Sequence, residues 1–265
     1  MKGIVFTGDS YCYGEGLQYF SGLDTVVFPD VHTYDPTWIT ATQERFIEEN
    51  RYAKLAAKKL NHLDLVYAKN GGQDLHIIGE LNQKIPKIYK YSEISAVIVN
   101  LTNPLRDDFE FLHNGKLYKS VNINQSNRDN DETFLALAQH VEEIHGGDFS
   151  KFENVEYRKH LDKLKETFQK FEENGIVCRW INWLENGYEA FKDDEYLTSR
   201  LIEIEDRGVT FNSTRKWMVS NQRHFIRNHF KHINKCEHDD HISPEGHKVM
   251  ANSIYNNLKN LVKII

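Results

Sequence analysis

The heptapeptide Ser95-Ala-Val-Ile-Val-Asn-Leu101 narrows the choice of fold more than any other stretch of this 265-residue chain. Its dense β-branched character suits a strand buried on both faces, and such strands belong to parallel sheets covered on both sides by helices. The rest of the chain supplies the alternation of strand and helix that this requires. Ile4 to Thr7, Leu63 to Ala68 and Ile176 to Trp183 read as further strands. Between and after them lie helical patterns. Arg51 to Leu60 carries Tyr52, Leu55, Ala56 and Leu60 on one face, and a segment from Asp74 turns Leu75, Ile78, Leu81 and Ile85 inward. Val155 to Glu173 buries Leu161, Leu164, Phe168 and Phe171 and stops at Asn174-Gly175, and Pro244 to Leu261 closes the chain with Met250, Ile254, Leu258 and Leu261 inward. A single α/β domain over 1–265 is expected.

Two long stretches interrupt the alternation, at about 17–50 and 107–150. In the first, Phe20, Phe28, Tyr34 and Trp38 read as a satellite core under a long loop, with a wall over a ligand site as the alternative. The second holds Asn114-Gly115, a strong hairpin signal, and a helix over Thr133 to Ile144. A further helix is expected near Tyr196 to Glu205, and Trp217 and Met218 read as core anchors. With 33 basic against 39 acidic side chains the formal charge is -6. That balance offers nucleic acid and anionic membrane no broad attraction, so neither is expected as a partner. No segment reaches the roughly twenty apolar residues of a membrane span, and Met-Lys-Gly-Ile-Val enters a strand without a secretory signal. Cys12, Cys178 and Cys236 are odd in number and far apart, which argues against a disulfide framework. A cytoplasmic location is expected, with export by a route lacking a signal left open, as is the oligomeric state.

The chemistry-bearing residues lie at the two ends. Near the amino terminus a strand runs straight into Gly8-Asp9-Ser10, which delivers a hydroxyl to the carboxyl edge of the sheet, where open α/β sheets hold ligands. Gly8, Gly14 and Gly16 allow a sharp turn with amide N–H groups exposed beside that hydroxyl. Near the carboxyl terminus, Asp239-Asp-His241 precedes a helix start marked by Ser243-Pro244. A serine needs a base to take its proton, an imidazole is that base near neutral pH, and a carboxylate on the other ring nitrogen holds the ring in one tautomer. Read singly, the glycine-rich stretch is equally an ordinary turn, and His241 is one of thirteen histidines, on a solvated loop. Asp9 reads as a brace of the turn and Asp240 as an alternative orienter whose adjacency to His241 makes the contact harder.

Taken together, Gly8-Asp9-Ser10-x3-Gly14-x-Gly16 and Asp239-x-His241 followed by Ser-Pro-Glu-Gly-His247 resemble the SGNH (GDSL-like) hydrolase family. The resemblance implies a flavodoxin-like three-layer α/β/α sandwich with a central parallel sheet, and an ester-hydrolysing or deacetylating serine enzyme with Ser10, Asp239 and His241 as its catalytic residues. It implies an oxyanion site made by the amides of Ser10 and Gly71, with Gly72 as the near alternative, and by the side chain of Asn103. Where the family shows Gly-x-Asn-Asp, this chain has Leu101-Thr-Asn-Pro104, so Asn100 stays open beside Asn103. The expected partner is a small-molecule or carbohydrate ester, and no cofactor is implied.

Four other readings stand beside this one. Arg106 suits an anionic or sugar substrate, although a surface salt bridge is the commoner fate of such a residue. His229-x2-His232-x3-Cys236-x-His238 can be drawn as a zinc site, but it matches no common finger or metallohydrolase spacing, and no metal is expected. The altered third block is compatible with a protein that keeps the fold as a binding or assembly component. A nucleotide-binding domain is set aside, because Gly8-x5-Gly14-x-Gly16 fits neither the dinucleotide nor the P-loop fingerprint.

Overall fold

The computed structural model describes residues 2–21, 40–68, 72–107, 109–121, 132–229 and 240–262. The chain opens with β1 (Gly3–Gly8) and the short α1 (Ser10–Tyr13), and continues through α2 (Ala41–Asn50), α3 (Tyr52–Lys59), β2 (Leu63–Ala68), α4 (Asp74–Ile88) and β3 (Ile94–Asn100). A hairpin of β4 (Phe109–His113) and β5 (Lys116–Val121) precedes α5 (Glu132–His145), α6 (Phe149–Glu172) and β6 (Val177–Ile181). The remainder is α7 (Glu195–Thr198), a hairpin of β7 (Ile204–Asp206) and β8 (Val209–Phe211), α8 (Thr214–Ser220) and α9 (Pro244–Leu258).

The main sheet is parallel, in the order β2-β1-β3-β6. Beside β6 an isolated parallel bridge joins Trp180 to Leu201, at the place of a further strand. This is the doubly wound order in which the chain leaves the first strand in opposite directions, so that a crevice opens at the carboxyl ends of β1 and β3. Alternation along the strands divides the core into two layers. Ile4, Phe6, Ala96 and Ile98 face α3 and α9, meeting Tyr52, Ala53, Ala56, Met250, Ile254 and Leu258. Val5, Val97 and Val99 face α4 and α6, meeting Ile77, Ile78, Leu81, Leu161, Leu164 and Phe168. The result is the three-layer α/β/α sandwich with a central parallel sheet.

Most expected elements occur within a residue or two of their anticipated ends, but α6 begins at Phe149 rather than Val155 and so takes in the end of the expected 107–150 insertion, and other details differ. Leu75 and Leu261 are exposed, because Ile77 takes the inward place on α4 and α9 ends at Leu258. The helix expected near Tyr196 to Glu205 is only the four residues of α7. Beyond it Ile204 pairs with Phe211 round Arg207-Gly208, both with positive φ, and this hairpin takes up the end of the expected helix. The Asn114-Gly115 turn does join β4 to β5, and Trp217 and Met218 are fully buried. Of the aromatic residues expected under the first long loop, Phe28, Tyr34 and Trp38 lie outside the described residues; Phe20 meets the ring of His229 edge-on. No helix among the described residues is long and apolar enough to cross a membrane.

Candidate active site

The carboxyl end of β1 turns at Gly8 into α1, and the turn is held by Asp9. Its Oδ1 accepts the Tyr11 amide at 3.1 Å, capping α1, and the Asn100 Nδ2 at 3.2 Å from the end of β3. Its Oδ2 accepts Arg106 Nη1 at 3.3 Å. Burial pushes the Asp9 carboxyl above the usual range, and the Arg106 guanidinium opposes that shift. Asp9 is therefore a buried tie between the first strand, the third strand and the loop after it. Gly8 is required at the close approach of β1 to β3, since a Cβ there would lie 2.9 Å from the Asn100 Cβ. Ser10 follows as the first residue of α1, with its amide among the first-turn N–H groups that lack an intrahelical acceptor.

Residues 231 positions apart then meet: His241 Nε2 lies 3.0 Å from Ser10 Oγ. The imidazole comes from the segment before α9, whose entry is capped by the Ser243 hydroxyl on the Gly246 amide. Tyr11 joins the two ends of the chain. Its ring lies between Trp183, at 4.1 Å, and His241, at 5.0 Å, and its hydroxyl donates to the Asp240 carbonyl at 3.3 Å. The Asp240 carboxylate accepts Arg215 Nη1 at 2.7 Å and pairs ionically with Arg227 Nη1 at 2.6 Å. Asp240 is thus engaged with two arginines. Asp239, the expected orienter of His241, lies outside the described residues.

Gly71 likewise lies outside them, whereas Gly72 is described and buried. Asn103 stands on the loop after β3. Its Oδ1 accepts the Leu105 amide at 2.8 Å, and it neighbours Glu153, whose carboxyl burial pushes upward. Asn100 is buried, with its amide nitrogen on Asp9. Of the residues drawn as a zinc site, only His229 is described; its ring meets the Arg223 carbonyl at 2.8 Å.

Among the described residues, one group of three side chains has the proximity of metal ligands: Asp74, Asp107 and His160, with ligand atoms within 4.8 Å of one another. Their oxygens already serve the main chain. Asp107 accepts the Asp74 and Leu75 amides at the start of α4, and Asp74 accepts the Thr102 amide at 2.7 Å. His160 of α6 closes the group at 3.3 Å from Asp74, and burial with the neighbouring Asp74 charge pushes the Asp107 carboxyl up to about 6. The cluster braces the loops that carry Gly72 and Asn103. Sequence reasoning missed it because its members are up to 86 residues apart. It also missed Glu15, whose Oε2 lies 3.2 Å from His241 Nε2. The local signal was a lone charge held between Gly14 and Gly16.

Fold and site together define a class of protein: an α/β/α sandwich that brings a serine and a histidine from the two ends of its chain to the carboxyl edge of a parallel sheet. No protein-family model and no curated protein matches the chain. Solved structures do. They include a lipase from goat rumen metagenome (TM-score 0.49, 13% identity, all of both chains). A protein assigned to the G-D-S-L family of lipolytic proteins, from Desulfitobacterium hafniense, matches over 97% of this chain and 100% of its own (TM-score 0.45, 11% identity). An acetyl xylan esterase from Butyrivibrio proteoclasticus matches 98% of this chain, which spans 63% of the esterase (TM-score 0.44, 15% identity). These three proteins are a lipase, a lipolytic protein and an esterase.

Proposed function

We propose that the chain is a serine esterase acting through an acyl-enzyme, with a small or carbohydrate-borne ester, such as an O-acetyl group, as its substrate. The observation that carries this reading is the 3.0 Å contact between Ser10 Oγ and His241 Nε2 at the carboxyl edge of the sheet. His241 takes the hydroxyl proton as Oγ bonds to the ester carbonyl carbon. The negative charge that develops on the carbonyl oxygen falls to the amide of Ser10, the amide of Gly71 or Gly72, and the Asn103 side chain. Asn100 is the weaker candidate, because it is buried and one N–H of its amide is held by Asp9. Collapse of the tetrahedral intermediate breaks the bond to the alcohol oxygen, which leaves with the proton from His241. Water then adds to the acyl group by the reverse route, with Asp239 as orienter of the ring.

A second reading, a binding or assembly component with weak or lost turnover, is favoured by one feature. Asn103 Oδ1 is held by the Leu105 amide, an arrangement that leaves the third block less free to meet an oxyanion. Hydrolysis of p-nitrophenyl acetate by the native protein and by Ser10→Ala separates the two. The esterase reading expects Ser10→Ala to lower kcat by roughly a thousandfold or more, and expects a fluorophosphonate to label Ser10. Equal rates in two folded proteins, without labelling, favour the binding component.

A further inference from the structure

Glu15 is the charged group closest to the reacting atoms that the mechanism above leaves unused. Its Oε2 lies 3.2 Å from the same His241 nitrogen that faces Ser10, so it approaches the nitrogen that gains and loses the proton, opposite to the place of an orienting carboxylate. The contact is built into the backbone. The Gly14 and Glu15 amides both donate to the Ser10 carbonyl, at 2.9 and 3.0 Å, and Gly14 and Gly16 flank Glu15 with φ of +92° and +89°. A Cβ on Gly16 would lie 3.3 Å from the His241 Cβ, so the turn runs directly against the histidine. Both side chains are partly screened from solvent, at 22% exposure for His241 and 16% for Glu15.

We infer that Glu15 is a positioning residue, whose carboxylate acts on Nε2 of His241 and stabilises the imidazolium that forms when Ser10 loses its proton. When Nε2 carries a proton, its N–H has Ser10 Oγ and Glu15 Oε2 as acceptors. When Nε2 is bare, Glu15 faces a lone pair, so the carboxylate favours the protonated ring. An opposite charge at this distance favours the charged form of a histidine. Among the described residues other groups also face the ring, and the buried Asp9 carboxyl interacts with its charge as well. Tyr11 presents an aromatic face, Asp240 is bound by Arg215 and Arg227, Asp9 is bound by Arg106, and the buried ring of His247 is kept neutral. Asp239 lies outside the described residues. One consequence is that hydrolysis is suppressed at mildly acidic pH, since the base must be free to accept the serine proton.

The inference rests on the reading of Ser10 and His241 as nucleophile and base, and two readouts keep their failures apart. The His241 imidazole is titrated by NMR in the full chain, its signal assigned by its loss in His241→Gln, and the pH profile of kcat/KM is taken with p-nitrophenyl acetate. In Glu15→Gln the titration midpoint is expected to fall by about one pH unit, with the acid limb of the profile moving by the same amount and KM little changed. Glu15→Asp is expected to keep part of the shift, and it carries the test if Glu15→Gln does not fold. An unchanged His241 midpoint in a folded variant overturns the inference. Hydrolysis indifferent to Ser10→Ala overturns the esterase reading instead.

Discussion

Gly16→Ala is the substitution that most directly probes how the two ends of the chain are held together. Two separable costs follow from its surroundings. The residue has φ of +89°, in the left-handed region, where a side chain costs about 1–2 kcal/mol. The new Cβ would also stand 2.0 Å from Ile226 Cδ1 and 3.3 Å from His241 Cβ. Ile226 is fully buried, so its methyl cannot swing into solvent, and overpacking of this kind costs a further ~1–3 kcal/mol. The sum is about 2–5 kcal/mol, and relief by movement of the His241 segment would misplace the base; a misplacement of about 1 Å can cost on the order of a hundredfold in rate. Gly208→Ala is the control, because Gly208 has φ of +78° with nothing within 4 Å of the added carbon. It is expected to show the backbone cost of about 1–2 kcal/mol and unaltered hydrolysis. Ile226→Val removes the offending methyl, and in the double variant it should return the steric part of the loss while leaving the backbone part. Urea unfolding and the rate of p-nitrophenyl acetate hydrolysis read both quantities. Equal losses of stability and activity in Gly16→Ala and Gly208→Ala, or no recovery in the double variant, would refute the argument.

Two further outcomes follow from buried ionisable groups. Arg106→Leu strips the buried Asp9 carboxylate of its cation, and the penalty should depend on pH. A carboxyl raised above its unfolded value contributes stability that is present below the unfolded value and lost as pH rises through the folded one. The loss from Arg106→Leu is therefore expected to be small at pH 4 and about 2 kcal/mol at pH 8, and a penalty equal at both pH values in urea titrations would contradict it. His247 acts in the opposite sense. Its Nδ1 accepts the Tyr52 amide at 3.1 Å, and burial pushes the ring down to about 3. A depressed group gives stability that is present above the unfolded value and lost as pH falls toward the folded one, so native stability should drop by about 1.4 kcal/mol per pH unit below pH 6. In His247→Asn, whose side-chain oxygen can accept the same amide, that slope should flatten; an unchanged slope would show that other groups carry the acid sensitivity.

The layers of the fold were legible because their signals are local. Ile4, Phe6, Ala96 and Ile98 alternate with Val5, Val97 and Val99, and a strand with two apolar faces calls for helices on both sides wherever it lies in the chain. Turn chemistry was equally readable at Asn114-Gly115. The hairpin round Arg207-Gly208 went unread, because its buried residues, Ile204 and Asp206, are too few to impose a visible period. The candidate nucleophile and base were legible as residue types with the right neighbours, Gly8-Asp9-Ser10 at one end and His241 before Ser243-Pro244 at the other.

Their 3.0 Å approach was decided only by the tertiary structure. A local motif specifies backbone conformation over a few residues, whereas the meeting of Ser10 and His241 depends on where β1 lies in the sheet and where α9 packs against it. The same holds for the carboxylates. Asp9 owes its role to Arg106 and Asn100, Asp240 to Arg215 and Arg227, and Glu15 to a turn that two left-handed glycines press against the histidine. Side-chain chemistry is written in the residue, but its electrostatic surroundings come from distant segments, and only folding brings those segments within reach.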